Sequence, residues 1–476
     1  MDEYAAYFQS RIFAAGHLSG NFPLQLIDWL VPPGFQDYFL NVSRTSGDIA
    51  ETYWPGFALL LAPFTWLGIP WACNPLISAL TLIVLHRIAL VVFDNREAAG
   101  LALLLTIGSP EFFADGISYY SMPAHLLANS LYALLLIHPT PRRAFAAGVI
   151  GGLALSLHNP VPHILFAAPW LIWIATTPDR LRLLASLAVG YLPFSILLGW
   201  GWFVFSAQLL QDRSVDAVST SLLFRLHRLL SIFALPDSSV LLARLIGAAK
   251  LWIWAVPGLL ILAGVGAIRE RRNVACVLLA ASALLTLLGY FFVPVDQGHG
   301  WGYRYFHSAW VALPILATAC LFRPLRQSSI TFDPQDEKSR TFEEFVTKSY
   351  VTACILLTLI FGTGWRAWQI DSFVSDSLRQ LPHSSGKGRQ IVVINVTHSF
   401  YAADLVQNDP WLRGNVVRMY SHGEAADIRA MAEYCPTLRQ IYADRHGTVW
   451  SEVSPSGALV PTGMGLCAPR LRAASE

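Results

Sequence analysis

The chain has 476 residues, of which 54% are hydrophobic and only 13% charged, about half the charged share of soluble domains. A soluble chain of this length could not hide so much apolar surface, so the excess must face lipid. The 33 Lys and Arg against 31 Asp and Glu leave a net charge of +2, which is no electrostatic footprint for a nucleic-acid partner.

The first 71 residues open on "DEYAAYFQSRIFAAG". Asp2 and Glu3 stand at the head of an amphipathic stretch whose Tyr4, Tyr7 and Phe8 suit an interface. Two readings compete there: an acidic helix start favoured by the macrodipole, or a carboxylate that accepts a proton from an attacking hydroxyl. No apolar anchor precedes the pair, so an additional helix upstream of Met1 is one expectation, and export of the acidic segment by the first crossing is the other. Further on, "GDIAETYWPGFALLLAPF" sets Glu51, Tyr53 and Trp54 before an apolar stretch. Those residues suit either a substrate cleft or an interfacial aromatic belt.

Apolar segments follow at roughly 72–93, 97–112, 121–137, 144–157, 161–175, 183–205, 246–267, 274–293, 307–322 and 349–367, which predicts about ten crossings. Alternate connections are basic: "FDNREAAG", "HPTPRRAF", "TTPDRLR", "RERRN" and residues 323–348. These are therefore expected on the cytoplasmic side. The complementary set, 1–71, 113–120, 158–160, 206–245, 294–306 and 368–476, is expected outside, together with both termini. In the fourth external segment, residues 215–235 place Leu222, Leu226, Leu229 and Phe233 on one helical face near Arg225 and Arg228, the pattern of a helix in the headgroup layer. Beyond residue 376 the chain turns soluble. "RQIVVINV" reads as a strand, "GEAADIRAMAEYC" as a helix and "LRQIYAD" as a second strand, the order of a small α/β cap. The expected fold is thus an all-α polytopic membrane protein of about ten transmembrane helices with a small C-terminal α/β extramembrane domain. Its regions are 1–71, 72–368 and 369–476.

Four of the six cysteines, Cys73, Cys276, Cys320 and Cys354, lie in or beside apolar runs without CxxC spacing and read as packing residues. Cys435 and Cys467 fall in the exported segment, where a disulfide persists. "HSSGKGRQIVVI" lacks the phosphate-loop pattern and precedes its strand instead of following it, so it reads as a linker.

Polar residues gather in the external connections. "FFADGISYYSMPAHLLANS" carries Asp115, Tyr119 and Tyr120, with His125 and Asn129 one turn apart inside the next crossing. Buried polar groups in lipid face a cavity or a partner helix, and interhelical hydrogen bonding is the expectation for those two. "SLHNPVPH" holds His158, Asn159 and His163, whose spacing does not match a zinc site. "VPVDQGHGWGYRYFHSAW" is the richest: Gly298, Gly300 and Gly302 permit close backbone approach among Asp296, His299, Tyr303, Arg304 and His307. An Arg at headgroup depth suits bidentate contact with a phosphate, or simply snorkels to the lipid surface.

With "YWPGFALLLAPF", "SYYSMPAHLLANSLYALLL" and "GHGWGYRYFHSAWVALPIL" in this order, residues 1–320 resemble bacterial GT-C membrane glycosyltransferases, the group of the protein mannosyltransferases and the lipid A aminoarabinose transferase. The resemblance implies a sugar donor on a polyprenyl phosphate and a glycan, lipid or protein acceptor. It makes Asp2 the base, with Glu3 beside it, and Arg304 the phosphate partner. Tyr303, His299, Asp115 and Glu51 would contact substrate. The Lys often found before the proline of the second element is replaced by Thr52-Tyr53-Trp54. Membrane lipids are partners; no cofactor is required, and a divalent metal is left open. The implied localisation is the bacterial inner membrane with the active site on the periplasmic side, and departure of the phosphate opposite the attack implies inversion. A transporter or flippase, and a polymerase or ligase of lipid-linked saccharides, are the other readings; no internal repeat supports a transporter.

Overall fold

The computed structural model describes residues 1–210, 235–293, 301–322, 349–384, 389–399 and 401–452. Its chain divides into two compact units. One gathers residues 1–70, the segment that begins at Trp202 and the chain from Gln369 onward; the other holds Trp71–Gly201 and residues 217–368.

In the first unit, Asp2–Ala14 is a helix with both acids in its first turn, where the dipole favours them. A small antiparallel sheet follows in the order β1-β3-β2, built from Gly20–Asn21, Leu40–Val42 and Asp48–Glu51. The C-terminal segment forms a second sheet, β5-β4-β7-β6. Here β4 (Gln390–Ile394) runs parallel to β5 (Val416–Tyr420) and antiparallel to β7 (Gly447–Glu452). β6 is Leu438–Asp444 and the covering helix Glu424–Tyr434, so the strand–helix–strand order expected for the cap is present.

In β4 the run "IVVI" after Gln390 is apolar throughout because both its faces are buried. Ile391 and Val393 pack in one cluster, Val392 and Ile394 in another with Ala402, Val406 and Val449. The first cluster also takes Tyr4, Phe8, Ile12, Phe22 and Leu26. The first 70 residues and the C-terminal hundred, kept apart in the sequence reading, therefore share one core. Long-range polar bonds repeat the message: Tyr4 OH donates to the Asn408 carbonyl at 2.9 Å, Trp29 Nε1 donates to Asp427 at 3.0 Å, and Arg11 pairs with Asp409. Cys435 is buried and disulfide-bonded, while Cys73, Cys276, Cys320 and Cys354 are free. Cys467 lies outside the described residues.

The second unit is a bundle of apolar helices. Among the described residues, Pro70–Phe93, Arg180–Leu209, Val274–Phe292 and Ser349–Leu378 are long and apolar enough to cross a membrane, and they match the 72–93, 183–205, 274–293 and 349–367 segments of the sequence. The chain is a multi-pass membrane protein. Other expected crossings correspond to shorter helices such as Met122–Leu136, Val161–Ala175 and Ala312–Leu321.

Three departures have local causes. The 97–112 segment is not straight: Arg96–Ile107 and Pro110–Gly116 meet at 67°. Ser109 before Pro110 is extended, as a residue preceding proline prefers. Asp115 consequently sits in a helix, not in the external loop expected at 113–120. The 246–267 segment is two helices, Ser238–Ile253 and Leu259–Arg269, separated at Pro257–Gly258. A π-helical stretch, Ser195–Trp200, follows Pro193, whose missing N–H breaks the regular ladder. The headgroup helix expected at 215–235 falls almost wholly outside the described residues.

Close packing in this unit depends on small residues. A Cβ on Gly148 would come within 2.1 Å of the Leu187 carbonyl, and one on Gly190 within 2.3 Å of the Phe145 carbonyl. The helices Pro141–Ser156 and Arg180–Phe194 thus touch backbone to backbone, the small-residue contact of membrane bundles.

Candidate functional site

The bend before Pro110 starts a fresh helix whose Glu111 and Asp115, four residues apart, project from the same face. Both are buried, with His307 beside them. His307 Nδ1 lies 2.8 Å from Asp115 Oδ2. The Tyr303 backbone N–H donates to both oxygens of Glu111, at 2.8 and 3.1 Å. Gly302 explains how that is reached: its φ is +67°, and a Cβ there would stand 1.9 Å from Glu111 Oε2. The glycine serves an approach to a carboxylate of the protein itself.

Arg304 and His307 are the two ends of one helical turn, Arg304–His307. Arg304 is buried, and its guanidinium lies over the Tyr120 ring at 4.1 Å from the centroid. Asn74 fixes that ring's segment by donating to the Ser118 and Tyr120 carbonyls, at 2.7 and 2.8 Å. On the far side, His307 is flanked by Phe112 and Trp310, both stacked near 6.5 Å. Lys250 is close enough to attract Glu111 electrostatically. A second buried cation, Arg244, donates to the Tyr290 and Val293 carbonyls at 2.8 Å each and lies over Tyr305.

This unit therefore concentrates two carboxylates, a histidine and several cations in an apolar bundle, where such groups are costly and mark function. Glu111, Asp115 and His307 each offer one ligand atom within 4.8 Å of the others. That oxygen and nitrogen donor set is chemically suited to a divalent cation.

The sequence candidates divide between the units. Asp115, Tyr303 and Arg304 belong to the second, and the structure brings them together. His299, with Asp296, Gly298 and Gly300, lies outside the described residues. Asp2, Glu3 and Glu51 belong to the first unit. There Tyr53 OH donates to Asp2 Oδ1 at 2.6 Å. Burial raises the Asp404 carboxyl above its usual range; the Met1 amino group at 3.7 Å opposes this and Asp2 adds to it. Glu51 is buried at the end of β3, its N–H donating to Gln9 Oε1 at 3.0 Å. Desolvation pushes its carboxyl well above the ordinary range.

Glu111, Lys250, Arg244 and Asn74 were missed in the sequence. Glu111 could have been found from its i, i+4 spacing to Asp115 after a proline-marked helix start; nothing local marks the others. Of the membrane polar pair, Asn129 is hydrogen-bonded between helices as expected. His125 is fully buried, with no hydrogen-bond partner for either ring nitrogen among the described residues.

Among the described residues the chain thus comprises an apolar helical bundle holding a buried acid, histidine and arginine cluster, and a mixed α/β unit. No protein-family model and no curated protein matches the sequence. Among solved structures the chain is similar to ArnT from Cupriavidus metallidurans bound to undecaprenyl phosphate, at 13% identity and a TM-score of 0.54 over 96% of this chain and 94% of that one. The apo state of the same protein aligns at 14% identity and a TM-score of 0.52, covering 94% and 93%. At such identities the likeness establishes the fold.

Proposed function

We propose that the protein transfers a sugar from a polyprenyl-phosphate donor to a hydroxyl of a glycan, lipid or protein acceptor, at the external face of a bacterial inner membrane that it crosses about ten times. The observation that carries this reading is the buried Arg304, held over Tyr120 beside the Glu111–Asp115–His307 cluster, in a chain with the fold of a protein crystallised with undecaprenyl phosphate. A polyprenyl donor cannot leave the bilayer, so its phosphate must be met by a cation within an apolar bundle. Arginine does this with two parallel N–H bonds.

In the transfer, the acceptor oxygen bonds to the anomeric carbon as the bond from that carbon to the phosphate oxygen breaks, and polyprenyl phosphate departs with the electron pair. The acceptor proton passes to a carboxylate. Asp2, oriented by Tyr53, is the base assigned in this reading. Attack opposite the leaving group inverts the anomeric centre. If a divalent cation is bound, Glu111, Asp115 and His307 would hold it, and it would supply charge neutralisation at the phosphate.

The test uses purified protein in nanodiscs. Undecaprenyl phosphate should bind saturably to the wild type and far more weakly to Arg304→Lys. Polyprenyl-linked sugar should be consumed with release of polyprenyl phosphate. Movement of the intact donor between leaflets of a vesicle without loss of the sugar would replace the transferase by a flippase. Wild-type transfer that survives Asp2→Asn would remove Asp2 as base while leaving the rest standing.

A further inference from the structure

We infer that Asn129, with His163 and Tyr191 behind it, is a positioning residue for the Arg304–His307 turn. The inference deepens the proposed function, because that turn carries the residue assigned to the donor phosphate.

Three helices contribute one chain of hydrogen bonds. Asn129 Nδ2 donates to the Ser308 carbonyl at 3.0 Å. Asn129 Oδ1 lies 2.7 Å from His163 Nδ1, and His163 Nε2 lies 2.7 Å from Tyr191 OH. Asn129 and His163 are fully buried. Donor and acceptor roles are forced in sequence. A carbonyl can only accept, so the amide nitrogen faces Ser308 and the amide oxygen must accept from His163. His163 therefore carries its proton on Nδ1 and accepts at Nε2 from the Tyr191 hydroxyl. Each group has one available role, so the chain has one direction.

Its end point matters because the turn is only four residues long and local bonds alone do not fix its direction against the neighbouring helices. The last carbonyls of the turn, those of Phe306 and His307, accept from the Ala309 and Trp310 N–H groups at 2.9 and 3.0 Å, whereas the next carbonyl, that of Ser308, is held from another helix. Ser308 directly follows His307 and is the residue that caps the turn. Anchoring its carbonyl to the Met122–Leu136 helix fixes the azimuth of the turn, and with it Arg304 over Tyr120 and His307 against Asp115. Tyr191 is itself wedged: a Cβ on Gly151 would meet its ring at 2.4 Å, so the far end of the chain cannot drift. Misplacement of a contacting group by about 1 Å can cost on the order of 100-fold in rate.

Asn129→Asp tests the device, since it keeps the shape of the side chain and removes the N–H given to Ser308. Tyr191→Phe, which retains the wedged ring, is the mild companion. Hydrogen exchange of the peptide covering 304–310 should accelerate about tenfold or more in Asn129→Asp and detectably in Tyr191→Phe, while the peptide covering 259–269 stays at the wild-type rate. Undecaprenyl phosphate should bind at least about fivefold more weakly to Asn129→Asp. His163→Gln, which can still donate to Asn129, should lie closer to the wild type than His163→Phe. Uniform acceleration across both peptides, or none at 304–310, overturns the inference. A wild type that fails to bind undecaprenyl phosphate removes the proposed function alone, because the exchange measurement needs no ligand.

Discussion

The two units meet the same problem, a buried polar group, with different means. In the helical unit the groups of the candidate site face partners within the protein: Glu111 accepts from the Tyr303 N–H, Asp115 lies 2.8 Å from His307 and Asn129 donates to the Ser308 carbonyl, whereas His125 has no hydrogen-bond partner among the described residues. In the α/β unit Glu51 is buried with one carboxyl oxygen unpartnered among the described residues, and only burial acts on its ionisation. The difference follows from the partners that each carboxyl finds. In an apolar bundle an ionisable group is costly, so the carboxylates of the site draw on partners within the protein. A buried carboxyl without such a partner, as Glu51, is pushed toward its protonated form instead.

The comparison breaks most severely at Gly302. Gly302→Ala places a methyl against Glu111 at a backbone angle that L side chains avoid, so the whole helical site should be lost. Undecaprenyl phosphate binding should disappear, with a melting loss corresponding to about 2–4 kcal/mol. An alanine variant that binds as the wild type would show that the Glu111–Tyr303 contact is dispensable.

Arg304→Lys is the next largest. The point charge keeps attraction to an anion and loses the forked geometry. An effect of about 10–100-fold on donor affinity is expected from the strength of charge-assisted bonds, with the protein accumulating normally. Titration calorimetry against undecaprenyl phosphate measures it.

Glu51→Gln sharpens the contrast through pH. Below the ordinary carboxyl value of 4.5 both folded and unfolded states hold the proton, and the group adds no pH dependence. Above it the unfolded chain ionises while the folded carboxyl stays protonated, so stability falls as pH rises until the raised folded value is passed. The melting temperature of Glu51→Gln should therefore gain on the wild type progressively between pH 4.5 and 8. A constant difference across that range would mean that Glu51 is not held protonated.

Tyr53→Phe is the smallest. It removes one half-buried hydrogen bond to Asp2, worth about 1 kcal/mol, and should lower transfer more than stability if Asp2 is the base. Equal transfer by Tyr53→Phe and wild type would leave Asp2 with its helix-start role only.

Much of the architecture is written in local pattern. Low charge, long apolar runs and alternating basic connections are sums over neighbours in sequence, and they make a polytopic membrane protein without reference to tertiary contacts. The cap strand "QIVVI" and the helix "EAADIRAMAEY" are equally local. Breaks at Ser109–Pro110 and Pro257–Gly258 were legible as residues but not as consequences, because whether a proline ends a crossing or kinks it depends on what packs beside it.

The sequence by itself determined the membrane class, the order of the motifs and five of the grouped site residues, Asp115, Tyr120, Tyr303, Arg304 and His307, since these rest on composition and on clusters within single connections. Only the tertiary structure decided that Glu111 closes on Tyr303 across 192 positions, that Asn129 anchors the turn carrying Arg304 and that the first 70 residues share a core with the last hundred. Such contacts are made between side chains far apart along the chain, and their energy depends on distance in space, which no window along the sequence contains.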